Sequence, residues 1–473
     1  MAVKVIDTAA KQKRQGFSLG YKVVWGLAAL GTALISGTYG ALLPIFYQDY
    51  LGMASGWFSL ASVIYAVWNA LNDPLFGYIT DRTRSKHGRR IPYMRFTAPF
   101  LALTFILVWL APSRVGDTAL FWWMLVTMLL FDTAYTIIGL VYSALLPEVT
   151  ESESERNGLQ ISSSLFSLLG TLLGFLIPDF FRPKAGGDVT FLPLQISMVV
   201  MAVFAMLLII ATTLKVKERL EFTQVDQPIP LKEAMRFTFA NRSFLVLVAA
   251  NFMSILMQSL LLGMIFYVAD YVMQVDTMLL LAALFIPLII GVPLTTLIRA
   301  RVGVVRAQQI LLLTAGVGLI ASTLVPAELI PVCVALAGFG LAGPQTLTNV
   351  LFAQVADEDE VRTGVRREGA FFGVNAMLTK PAQSLGLILI SNILAATLFI
   401  TRGQNAGQIV LDQPDSALLG IRILFGLIPG IAMLAGAAIL QLYPLRGAYL
   451  KEIQAKVLEL HAEKKERLKE QTA

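Results

Sequence analysis

The sequence predicts an all-α protein that crosses a membrane many times, and three observations carry that prediction. Of its 473 residues, 56% are hydrophobic and only 14% are charged, against about 25% charged in a soluble globular chain. Its apolar stretches repeatedly reach the ~20 residues needed to cross a hydrocarbon core ~30 Å thick, a length that a buried soluble helix seldom attains. Lysine and arginine are concentrated in alternate connections between those stretches.

Apolar windows give twelve candidate spans, near residues 22–46, 56–80, 92–112, 118–146, 158–180, 191–214, 244–273, 277–298, 308–325, 328–354, 369–399 and 417–444. The longest polar connection, LKVKERLEFTQVDQPIPLKEAMRFTFANRSF, follows the sixth and divides the spans six plus six. The expected organisation is an N-terminal six-helix bundle over 1–214, a cytoplasmic linker over 215–243, a C-terminal six-helix bundle over 244–445 and a cytoplasmic tail over 446–473. Within the tail, Leu450 to Leu460 spaces apolar residues helically among charges, as a surface helix does. With the amino terminus inside, cytoplasmic segments hold 31 of the 37 lysines and arginines, the bias that sets orientation. Both termini are therefore expected in the cytoplasm, in a multi-pass protein of the plasma or inner membrane. The basic start runs straight into a full-length span, so no cleavable signal peptide is expected.

Composition removes several functions. Two histidines (His87 and His461) and one cysteine (Cys333) cannot build a multi-ligand zinc, iron–sulfur or haem site. No clustered acid, base or metal set suggests an enzyme. The net charge of +6 follows topology rather than a groove, so no nucleic-acid partner is expected. The expected partners are the bilayer and a small molecule, with no cofactor and a monomeric chain.

The two halves echo each other. FYQDY (Phe46 to Tyr50) ends the first span and FYVADY (Phe266 to Tyr271) the seventh. PEVTESESERNG follows the fourth span and QVADEDEVRTGVRREG the tenth, about 210–220 residues later. Duplicated bundles with a site between the halves are the architecture of secondary transporters.

Charges inside spans are costly and usually face a bundle interior or a water-filled path. Asp132 lies ~21 Å from both Thr118 and Leu146, Asp73 ~12 Å from Asp81, and Lys380 ~15 Å beyond Ala370, at 1.5 Å per residue. In the second span Tyr65, Asn69, Asn72, Asp73 and Phe76 share one helical face. That face is either a polar seam between helices or a site for a coupling cation or proton. Asp73, Asn69 and Asp132 are its candidate residues. Lys380 is a candidate for solute binding, or for an ion pair with Asp73 or Asp132. Asn72, Trp68, Tyr142, Gln258, Asn349, Asn375 and Gln383 complete the candidate solute contacts near the midplane. Asp49 and Asp270 sit at span ends and receive an interfacial, structural role. The loop DRTRSKHGRR anchors topology, and its Asp81, Arg82, Arg84, Arg89 and Arg90 join Arg156, Arg362, Arg366 and Arg367 as a candidate cytoplasmic gate.

Trp68 to Tyr93, WNALNDPLFGYITDRTRSKHGRRIPY, resembles the signature of the glycoside–pentoside–hexuronide:cation symporter family, the melibiose-permease-like branch of the major facilitator superfamily. Supporting matches are Tyr135–Thr136, Pro147, Glu155–Arg156, RREGAFFG from Arg366 to Gly373, and Lys380 at the family's eleventh-helix lysine. The resemblance runs over nearly all twelve spans. It implies the major facilitator fold, alternating access and cation-coupled symport, with Asp73 and Thr136 at the coupling site. It also marks departures. The second-helix aspartate pair of the family's disaccharide carriers becomes Asn69 and Asp73. Their sugar-binding aspartates fall at Ala33 and Gly139, and a tryptophan and an arginine at Ser143 and Ser164. Asp132, seven residues before Gly139, could supply a different carboxylate. The expectation is a secondary active transporter coupled to Na⁺ or H⁺, with no other metal, carrying a sugar-like or other small polar solute but not a galactoside. The alternative is a carrier of an amphipathic, lysolipid-type solute, coupled or uncoupled.

Overall fold

The computed structural model describes residues 17–83, 88, 90–112, 115–150, 153–183, 190–218, 239, 241–363, 368–402 and 410–472, and the regular structure among them is helical throughout. Helix α1 (Leu19–Pro44) starts where Ser18 Oγ accepts the Tyr21 N–H at 3.2 Å. Helix α7 (Arg242–Tyr267) starts where Asn241 Oδ1 accepts the Phe244 N–H at 3.0 Å. Each cap satisfies one of the free donors at a helix start. Both helices widen at their far ends into a π-helical turn, over Ile45–Tyr50 and Val268–Met273. These turns contain FYQDY and most of FYVADY, one of the two repeats in the sequence.

Between them run α2 (Ser55–Arg82), α3 (Ile91–Trp109), α4 (Asp117–Val149), α5 (Glu153–Phe181) and α6 (Leu192–Lys215). After α7 come α8 (Thr277–Val302), α9 (Val304–Leu324) and α10 (Ile330–Thr363). The eleventh expected span is interrupted: α11 (Glu368–Thr379) and α12 (Pro381–Ala396) meet at Lys380. Pro381 has no N–H to continue the ladder, which breaks the helix beside the lysine. The last expected span comprises α13 (Asp415–Arg422), a π-helical turn and α14 (Ile428–Ile439), and the tail is a helix, α15 (Gly447–Thr472).

Ten of these helical stretches are long and apolar enough to cross a membrane. Helix α2 and the pair α11–α12 are not among them, and the reasons are local. The face WNALND lowers the hydropathy of α2, and Pro381 cuts the other in two. Close approach builds the first half. A Cβ at Gly170 or Gly174 of α5 would collide with the carbonyls of Leu30 and Leu34 on α1, and Thr38 Oγ1 donates to the Gly174 carbonyl at 2.8 Å. Small residues let membrane helices pack this tightly, where hydrophobic burial gives no drive. Helices α1–α6 pack mainly on one another, as do α7–α14. The two sets meet where α1 touches α7, α2 touches α11 and α12, and α5 touches α8.

Candidate functional site

Where α2, α4 and the α11–α12 break converge, Lys380 Nζ donates to Asp73 Oδ1 at 2.7 Å and to Thr136 Oγ1 at 3.2 Å. Beside it, Asp132 accepts from Asn72 Nδ2 at 2.8 Å and from the Tyr65 hydroxyl at 3.2 Å. The helical face predicted from Tyr65, Asn69, Asn72 and Asp73 is therefore real, and it is turned toward α4. Asp132 and Thr136, one turn apart on α4, meet it. Asp73 and Asp132 are buried, while the Lys380 side chain keeps 22% exposure. The Oδ1 atoms of Asn69 and Asn72 are buried and accept no hydrogen bond among the described residues. One carboxylate thus pairs with the ammonium in the membrane interior, a second stands beside it on amide and hydroxyl donors, and spare carbonyl oxygens lie next to them. Oxygen-rich, acceptor-heavy surroundings of this kind suit a hard cation.

The remaining candidates are placed differently. Trp68 Nε1 donates to Thr133 Oγ1 at 3.1 Å, within the first helical set. The Tyr142 hydroxyl serves the first set too, donating to the Trp25 carbonyl at 2.9 Å and sharing a 2.7 Å bond with Ser163. Its ring stacks on Trp25, 4.9 Å between centroids. Asn375 Oδ1 accepts from Asn251 Nδ2 at 3.1 Å, and Gln383 offers its backbone carbonyl to Ser259 while its side chain is exposed. Gln258 is half-buried and Asn349 exposed. None of these six hydrogen-bonds to the Lys380 cluster among the described residues, whereas Asn72, the other solute candidate besides Lys380, bonds Asp132. Of the positions where the disaccharide carriers differ, Ala33 is buried, Gly139 borders open space, and Ser143 and Ser164 are exposed.

The span ends beside the α1–α2 connection hold a network that the sequence reading left undrawn. Asp49 and Asp270, expected in a structural role at span ends, are its centre. Asp49 is fully buried, and both aspartates bond across the two helical sets. Arg402 donates its backbone N–H to Asp49 Oδ1 at 2.7 Å, its Nε lies 3.0 Å from Asp49 Oδ2, and its Nη2 donates to Asp270 Oδ2 at 2.9 Å. Arg182 forks onto Asp270 with both terminal nitrogens, Nη2 to Oδ1 at 2.7 Å, and its Nε donates to Asp179 at 2.7 Å. The Tyr271 hydroxyl donates to Asp49 Oδ2 at 2.6 Å. Burial works against the Arg402 guanidinium, but Tyr50, Tyr271, Asp49 and Asp270 around it hold its pKa above the usual arginine value. The available signal was spacing. Asp49 and Asp270, like Arg182 and Arg402, stand about 220 residues apart, the interval already visible between FYQDY and FYVADY.

On the face of the polar loops, three gate candidates make the following bonds. Arg90 Nη1 donates to Thr80 Oγ1 at 3.1 Å, and its backbone N–H donates to Glu218 at 2.7 Å. Glu218, a linker residue not anticipated from sequence, also takes the Ile91 N–H and so caps α3. Arg156 Nε donates to the Thr150 carbonyl at 2.8 Å, and Arg362 to Glu358 at 2.7 Å. Glu358 also accepts from the hydroxyl of Tyr449 on α15, at 2.8 Å. The side chains of Asp81 and Arg82, and Arg84, Arg89, Arg366 and Arg367 altogether, lie outside the described residues. Hydrogen bonds between α1–α6 and the later helices run from Lys380 toward the α1–α2 connection.

Residues 24–447 match the protein family described as MFS/sugar transport protein. An uncharacterized symporter of Synechocystis is 24% identical, over 92% of this chain and 95% of its own length. The sodium-dependent lysophosphatidylcholine symporter 1 of Xenopus tropicalis is 26% identical, but over only 36% of this chain and 32% of its own. Among solved structures, a D-xylose-proton symporter superposes with a TM-score of 0.64 at 11% identity, covering 89% of this chain and 97% of that one.

Proposed function

The chain belongs to the MFS/sugar transport protein family, and on that premise we propose that it is a secondary active symporter whose coupling site is the Asp73–Thr136–Lys380 cluster with Asp132 beside it. The observation that carries the reading is the Lys380–Asp73 ion pair, 2.7 Å long, joining the two helical sets at mid-membrane. Such a pair is held against a large desolvation cost, and it invites exchange: a cation or proton arriving at Asp73 can release the ammonium. Asn69, Asn72 and Asp132 supply further oxygens for Na⁺, with Lys380 then free to meet the solute. Two six-helix units, 1–214 and 244–445, would rock around this point, with residues 215–243 linking them, 446–473 as tail, both termini cytoplasmic and the chain acting as a monomer.

The solute we favour is sugar-like or otherwise small and polar. The charged sugar grips are replaced by Ala33, Gly139, Ser143 and Ser164, which argues against a disaccharide of the galactoside type. A buried hydroxyl stripped of water must regain a hydrogen bond, and those four side chains offer few. That same loss favours the second reading, an amphipathic lysolipid-type solute, to which the partial match with the lysophosphatidylcholine symporter lends support. Purified protein in proteoliposomes, given a Na⁺ or a pH gradient and a panel of sugars, organic acids and lysolipids, decides between them. Uptake of any of these that ignores both gradients would overturn the coupled reading. Melibiose binding at ordinary transporter affinity would overturn the argument from missing charges.

A further inference from the structure

The outer ion network has a pattern that ordinary packing does not require. Asp49 ends the first span and Asp270 the seventh. Arg182 follows the fifth and Arg402 the eleventh. By the repeat of about 220 residues these are two equivalent aspartates and two equivalent arginines. Each arginine nevertheless reaches the aspartate of the other half: Arg402 to Asp49, Arg182 to Asp270. The aromatic contacts cross in the same way. The Arg182 guanidinium lies 4.6 Å from the Phe266 ring centroid, and that of Arg402 lies 4.5 Å from the Tyr50 ring centroid. Arg402 also bonds Asp270, which ties the two crossed pairs into one network. Both aspartates sit in π-helical turns, a geometry that recurs at functional positions. Arg182, Arg402 and Asp49 are almost wholly buried.

We propose that these two crossed pairs are a reciprocal lock that holds the outer face shut and has to release as a unit before that face can open. Separating the halves breaks both crossed pairs at once: Asp49 loses Arg402 and Asp270 loses Arg182, which leaves Arg402 with Asp270 and Arg182 with Asp179. A one-sided latch could loosen pair by pair. Here the pairs are tied together, since Asp270 binds both guanidinium groups and losing Arg182 from it disturbs Arg402 as well. The inference needs only that the outer face opens at some stage; it does not depend on the solute or the coupling ion proposed above.

The test uses labelling rather than transport, so that it fails or succeeds independently of the symport reading. A single cysteine at Gly139→Cys, in a chain carrying Cys333→Ser, stands three residues from Thr136 beside open space. In oriented vesicles, a membrane-impermeant maleimide added on the side of the α1–α2 connection should label it slowly. Arg182→Gln with Arg402→Gln should speed that labelling at least fivefold, whereas the matching Arg→Lys pair, which keeps the charges, should stay nearer the slow rate. Unchanged labelling of a folded, monodisperse Gln pair overturns the lock. Should that pair not fold, Asp270→Asn alone removes the shared acceptor. Its readout is a disulfide between Ser59→Cys and Asn392→Cys, whose native side chains meet across the same seam at 3.0 Å. The lock requires cross-linking at least fivefold slower in that variant, and an equal rate overturns it.

Discussion

At the midplane the two halves meet through one ammonium, one carboxylate and a threonine; at the outer face they meet through two guanidinium groups shared among three carboxylates, two tyrosines and a threonine. The central contact is under-filled. Lys380 remains partly exposed, and the Asn69 and Asn72 carbonyl oxygens beside it lack donors among the described residues. The outer contact is close to saturated, with most donor nitrogens of Arg182 and Arg402 engaged. Desolvated charges hold together well only when their remaining lone pairs and protons are also met. The same chemistry therefore serves two ends. A sparse pair can trade its partner for an ion, whereas a filled network can only be kept or abandoned.

That contrast can be broken in a definite order of effect. Asp73→Asn should abolish accumulation against a gradient while leaving a folded protein, measured as steady-state uptake in proteoliposomes beside a thermal melt. Full accumulation by this variant would reduce the carboxylate to packing polarity. Lys380→Gln leaves Asp73 buried without its partner. Breaking a fully buried pair costs about 3–5 kcal/mol, and the partial exposure of Lys380 should bring the loss to the lower end of that range or below it. Combining it with Asp73→Asn should recover part of the loss, and a strictly additive double variant would show that the pair is not coupled. At the outer face, Tyr271→Phe removes one of several donors to Asp49 and should cost about 1–2 kcal/mol of thermal stability, with uptake retained. A loss of uptake as complete as that of Asp73→Asn would erase the distinction between the two contacts. Ser391→Ala should do least. It takes away the hydroxyl that receives Gln48 Nε2 at 2.6 Å, a loss of roughly 0.5–1.5 kcal/mol, and a larger drop in melting temperature than Tyr271→Phe gives would reverse the ranking.

Much of the fold was legible because membrane crossing leaves a plain signal: long apolar runs and lysine-rich loops on alternate sides. The Asp73 face was legible for a related reason, since a polar residue in such a run stands out and helical spacing says which neighbours share its side. Lys380 was recognised as deep, but its partner was left open between Asp73 and Asp132, because sequence spacing cannot say which of two helices approaches a third. The polar ends of two solute candidates have protein partners that spacing does not reveal. Tyr142 and Trp68 look free in a sequence, yet their polar ends are used by Ser163, Trp25 and Thr133 within their own helical set. The outer arginines were hidden by their position. Arg182 and Arg402 lie in loops, where a charge needs no explanation, and only the fold carries them inward to Asp270 and Asp49.

The crossed arrangement of Asp49, Arg182, Asp270 and Arg402 also bears on how a chain of this kind can arise. A two-fold interface is isologous: residue i of one copy meets residue j of the other, and j meets i. One six-helix copy bearing a single aspartate at the end of its first helix and a single arginine after its fifth would satisfy both residues by pairing with an identical copy. The contact needs no second, differently evolved partner. Two unlinked copies could therefore close their outer face as a homodimer, and fusing their genes would conserve the closure while freeing each half to change elsewhere. Asp73 and Lys380, which have no such mirrored counterparts in their ion pair, are what that freedom permits.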